Sequence, residues 1–156
     1  MTADSGSLEI CIFSDLRTED WEALIDEFQS AGFVLSVESG GLVEFLPLGP
    51  LSEDSEWITE RLSNFEVRDL IRKKIDLRER IGFVFVNQCD QLNRLHLWSE
   101  PTEDQKSKFV FLLPDSVDRI NGTSVVDFRP YAMIIAPIFL TLFKEFELRF
   151  TQYIDR

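Results

Sequence analysis

Basic residues are almost missing from the first 60 positions, which hold fourteen acids and a single base, Arg17. The remaining 96 positions hold fourteen acids and fifteen bases, so the whole excess of the −12 net charge belongs to the first part. A surface of that sign repels nucleic acid and anionic membrane and attracts basic protein. Cysteine is scarce as well. Cys11 and Cys89 stand alone without a CxxC spacing, which argues against a disulfide framework or a zinc site and for two free thiols in a reducing cytoplasm.

Long apolar runs are also lacking. The longest uncharged stretch, "PYAMIIAPIFLTLF", covers fourteen residues between Arg129 and Lys144. A membrane-spanning helix needs about twenty. The opening "MTADSGSLE" has neither a positive segment nor an apolar one, unlike a secretory signal, and the expected location is the cytoplasm. Asn121-Gly122-Thr123 then reads as a turn rather than a glycosylation site. No P-loop, GxGxxG, HExxH or EF-hand loop occurs, and neither cofactor nor metal is expected.

Phenylalanine is abundant, at fourteen residues, which implies an aromatic-rich core or contact surface. A chain of 156 residues can bury roughly 68–70% of its unfolded surface without a staple. One domain over 1–156 is expected, with 1–7 as a flexible tail.

Local patterns give the elements. Leu8, Ile10 and Ile12 alternate as on a strand. Thr18 suits an N-cap, and Trp21, Leu24, Ile25 and Phe28 follow at helical spacing up to a C′ glycine, Gly32. "FVLSVE" and "LVEFLPL" flank Ser39-Gly40-Gly41 as a hairpin would. A helix is expected near Ser52, with Trp57, Ile58, Arg61, Leu62 and Phe65 on one face. Ser63-x-x-Glu66 is a capping box, so a helix can restart there with Val67, Leu70, Ile71 and Ile75 inside.

"GFVFVN" reads as a central strand, "RLHLWS" and "KFVFLL" as two more, and "SVVDF" as a short one. The fold class is therefore α+β, mainly antiparallel. Its start has the β-α-β-β-α-β order of ferredoxin-like folds, and extra C-terminal strands follow. Pro137 should kink the last helix or start a second one. Beyond it Phe139, Phe143, Phe146, Phe150 and Tyr153 recur at steps of four and three. That spacing predicts a long aromatic C-terminal helix, docked on its own sheet or forming a dimer seam.

Catalytic signals are weak. His96 is the single histidine and shares a strand face with Arg94 and Trp98; Cys89 precedes it by seven residues, and nothing in the spacing brings the two together. The bases at Arg68, Arg72, Lys73, Lys74, Arg78 and Arg80 interleave with acids as Asp69–Lys73 and Asp76–Arg80, without an aromatic stacking platform. The preferred expectation is a non-catalytic protein-binding module, a small acidic inhibitor or immunity-type protein neutralising a basic protein such as a toxin. Its contact candidates are Glu19, Asp20, Glu22, Asp26, Glu53, Asp54, Glu56 and Trp57. Two alternatives come from other classes: a small enzyme using Cys89 and His96 or scattered carboxylates, and a dimeric chaperone or regulatory subunit joined through its C-terminal helix.

Overall fold

The computed structural model describes residues 5–36, 41–49, 57–90, 93–102, 106–113 and 118–153. The chain runs β1 (Ser5–Ile12), α1 (Thr18–Ser30), β2 (Phe33–Val34), β3 (Leu42–Phe45), β4 (Ile58–Arg61) and α2 (Asn64–Asp76). It continues through β5 (Ile81–Asn87), β6 (Arg94–Pro101), β7 (Ser107–Leu112), α3 (Arg129–Leu142) and β8 (Phe146–Tyr153). The eight strands form one sheet in the order β4-β3-β5-β6-β7-β1-β8, with β2 also on β5. Every pairing is antiparallel.

The apolar faces read from the sequence build the core. Leu8, Ile10 and Ile12 of β1 are fully buried, as are Phe83 and Phe85 of β5 and Phe109 and Phe111 of β7. The three helices cover this one face. α1 lays down Trp21, Leu24 and Phe28, α2 Val67 and Ile71, and α3 Ile135, Ile138 and Phe139. Trp21 meets Phe83 and Phe109, while Phe28 meets Phe85 and Phe111, with centroid separations of 4.8–5.8 Å. The Trp21 indole N–H donates to Ser99 Oγ at 3.0 Å, so the buried polar edge of that ring is satisfied.

The capping box forms as read. Glu66 N–H donates to Ser63 Oγ, and Ser63 N–H donates to Glu66 Oε1. At α1 the cap falls one residue earlier than expected, on Arg17, whose N–H donates to Asp20 Oδ2 at 2.8 Å. Gly32 closes that helix at φ +92°, a conformation glycine adopts without a Cβ penalty.

Several expectations are corrected. The β-α-β-β-α-β order does not close as a ferredoxin-like sheet, because β1 lies between β7 and β8 rather than beside the central strand β5. β2 and β3 are not a hairpin: both pair with β5, end to end along one edge. The intervening Ser39 and Gly40 lie outside the described residues.

Ile58–Arg61 is a strand on β3 instead of part of a helix; the earlier portion of that expected helix, from Ser52, lies outside the described residues. Ser5 to Ser7 belong to β1 and not to a tail. "SVVDF" makes only an isolated bridge, Arg119 to Val126. The Asn121-Gly122 turn does form, with Gly122 at φ +77°.

The largest correction concerns the C-terminus. α3 runs without a break through Pro137 but stops at Leu142, and Phe146–Tyr153 forms an edge strand on β1. Phe146, Leu148 and Phe150 also alternate with Glu147 and Arg149, so the segment carries a strand period as well as a helical one. The open edge of β1 decides between them. The aromatic stripe still reaches the core: Phe139 is buried and its ring touches Phe109, Phe111, Phe143 and Phe146.

Candidate functional site

α1 points its apolar stripe at the sheet, which turns Glu19 and Asp26 to solvent. Asp20 is spent on the cap, with Arg17 Nη2 3.4 Å from its other oxygen. Glu22 faces α2, where Arg68 Nε lies 2.8 Å from its Oε1. Among the described residues, Glu19 and Asp26 have no ion-pair partner. Glu22, Ile25 and Asp26 line one wall of a groove of about 240 Å³, with Leu35, Val67 and Arg68 among the residues opposite. Its lining mixes apolar side chains with Glu22, Asp26 and Arg68, and Arg68 already engages Glu22, which leaves Asp26 as its unpaired carboxylate among the described residues.

Helix stability explains only part of this charge. Glu19 and Asp20 sit in the first turn, where the macrodipole favours anions. Asp26 and Glu27 lie in the second half of α1, where it disfavours them, and no base occupies the last turn. The helix dipole therefore does not account for these two acids.

Trp57 is elsewhere. Its ring lies 5.2 Å from that of His96 and 6.4 Å from that of Trp98. His96 and Trp98 alternate with Leu95, Leu97 and Ser99, the side chains of β6 that face the helices. Trp57 therefore packs on the opposite face of the sheet, which none of the described helices covers. It does so over Gly82, where an added Cβ would come 2.8 Å from the indole and 2.7 Å from Leu46. The structure thus separates Trp57 from the α1 carboxylates, contrary to a single contact patch. Glu53, Asp54 and Glu56 lie outside the described residues.

The cysteine–histidine pairing does not form. Cys89 is exposed on the β5–β6 connection, where its N–H donates to Asn87 Oδ1 at 2.8 Å. Asn87 N–H bonds the Asn93 carbonyl across that turn, and His96 is three residues further along β6, about 10 Å at strand rise. His96 instead has Glu44 Oε2 3.8 Å from its Nε2, and Arg94 Nη1 holds the other Glu44 oxygen at 3.3 Å. Burial pushes the imidazole pKa below its ordinary value; Glu44 opposes this and Arg94 adds to it. Among the described residues, the contacts of His96 are thus an indole and a carboxylate that Arg94 already engages.

The basic residues of α2 are largely internal partners. Asp69 binds both Arg72 and Lys73, whereas Arg80 reaches Glu100 on β6 rather than Asp76. Lys74, which no helix-face count marks as special, is fully buried and donates to the Arg80 carbonyl. Burial pushes its pKa down to about 8, against the attraction of Glu79 and with the help of Arg80.

Among the described residues, no three His, Cys, Asp or Glu side chains gather as a metal-holding group, and no helix is long and apolar enough to cross a membrane. Comparison with protein-family models, with curated proteins and with solved structures finds no match. What carries over from sequence to site is the acid strip of α1. The groove partner, contributed by Leu35 and α2, could be found only once the helices were packed.

Proposed function

We propose that this chain is a non-catalytic binding module that takes a basic protein on its α1–α2 surface, acting as a small inhibitor of the immunity type against a partner such as a nuclease toxin. The observation that carries the reading is Asp26, exposed and without an ion-pair partner among the described residues, on the lining of the α1–α2 groove. Of the five acids on α1, Asp20 and Glu22 are paired with Arg17 and Arg68, and Glu19, Asp26 and Glu27 form the remaining one-signed strip. Such a strip speeds encounter with a cationic surface and selects against acidic partners. The enzyme alternative receives no support from the surroundings of Cys89 and His96.

The test is affinity isolation from native cells, with wild-type protein and Glu19→Lys/Asp26→Lys as baits, at low and high salt. A basic protein should be retained by the wild type at low salt, be released as salt rises, and be lost to the variant. Recovery of no basic protein, or of the same protein by both baits, would refute the reading.

A further inference from the structure

The two edges of the sheet are unequal. One edge strand, β4, is four residues long and mostly exposed polar or charged. The other, β8, is eight residues long, has no proline, and pairs on one side with β1 over its full length. Among the described residues, no backbone hydrogen bond reaches its outer side. Residues 124–128 touch β8 through side chains: Gln152 bonds Val126 N–H and the Ser124 carbonyl, and Phe128 packs on Phe150. Among the described residues, none bonds the outer main-chain edge of this strand. A long, unprotected edge is a template for another strand.

We propose that this edge pairs antiparallel with β8 of a second copy of this chain, about a two-fold axis at Leu148. The charges of the strand favour a second copy as partner and disfavour the registers next to this one. Only registers that pair positions of like parity keep the two helical layers on one side of the joined sheet. With the axis at Leu148, Glu147 of each copy faces Arg149 of the other, and Phe146 faces Phe150. Moving the axis to Glu147 or to Arg149 sets identical charges face to face, which is unfavourable. Glu147 and Arg149 are 55% and 65% exposed, with a 3.4 Å contact within the strand, so both can reach across. Phe150 is 48% exposed and would gain cover from Phe146 of the second copy. The dimer seam moves from the C-terminal helix to the C-terminal strand and makes one continuous sheet.

The test is multi-angle light scattering of the full chain over a concentration series up to about 1 mM, the weak limit for a measurable dimer. The wild type should approach twice 18.1 kDa. Glu147→Arg and Arg149→Glu should each weaken dimerisation by about tenfold or more, since two cross-strand pairs turn repulsive in each dimer. The double variant Glu147→Arg/Arg149→Glu should restore it. A wild type that stays monomeric throughout, or single variants with unchanged association, would overturn the proposal. So would a folded double variant that stays monomeric.

Discussion

On the helix-covered side of the sheet Leu8, Ile10, Phe83, Phe85, Phe109 and Phe111 are closed off from solvent. On the other side the same strands and their neighbour β6 present Glu9, Cys11, His96, Trp98, Lys108 and Leu112, all half-exposed or exposed, around the buried Val84 and Val110. One face is a continuous apolar layer. The other is a smaller cluster in which Trp57, His96 and Trp98 cover the buried Val84 and Val110, flanked by ion pairs such as Lys108–Glu9 at 3.1 Å and Arg94–Glu44 at 3.3 Å. Pairs this exposed contribute about 0–1 kcal/mol each, whereas a buried aromatic contributes several times more. Most of the buried aromatic surface therefore lies on the helix side, and truncations there should cost more than those on the open side.

The most direct way to break that contrast is to truncate one tryptophan on each face. Trp21→Ala removes a fully buried ring and a hydrogen bond, and should cost about 3–5 kcal/mol in denaturant unfolding. Trp57→Ala, half-exposed on the open side, should cost about 1–2 kcal/mol. Equal losses would erase the distinction between the faces.

A second probe uses Lys74, the single charged side chain buried on the helix side among the described residues. Its folded pKa of about 8 lies below its unfolded value, so between those values the unfolded chain holds more protons. Stability should then rise as pH increases from 8 towards 10.5, by no more than about 3 kcal/mol. Lys74→Met should abolish the rise attributable to this group, measured as the difference between the two pH profiles.

Smaller effects probe the open side. Gly82→Ala should cost about 1–2 kcal/mol by pushing into Leu46 and Trp57. Combining it with Trp57→Ala should recover part of that loss in a double-mutant cycle. For His96, the lowered folded pKa means that the unfolded chain takes up its proton first. Stability should therefore decline as pH falls through the ordinary histidine range towards the folded value. Glu44→Gln removes the opposing attraction, and should move the imidazole titration to still lower pH when followed by NMR.

Where local pattern and long-range pairing agree, the fold was legible from the residues alone. The α1 stripe from Trp21 to Phe28, the Ser63–Glu66 box and the alternation of Leu8, Ile10 and Ile12 all carry one period and one meaning. Phe146–Tyr153 and Ile58–Arg61 carry a helical period too, and there the free edges of β1 and β3 prevail. Partners 134–148 and 13–19 residues away in sequence leave no local trace. The same holds for the site. The acids of α1 are visible as a run, but Trp57 and Asp26 fall on opposite sides of the sheet through pairings that composition does not encode.

The measurement that bears most directly on the binding role of α1 is a three-bait affinity isolation at low salt: wild type, Glu19→Lys/Asp26→Lys, and Trp57→Ala/Trp98→Ala. A basic protein held by the wild type and the tryptophan variant but lost to the α1 variant is the expected result. Loss with the tryptophan variant and retention by the α1 variant would place binding on the open face and contradict the assignment.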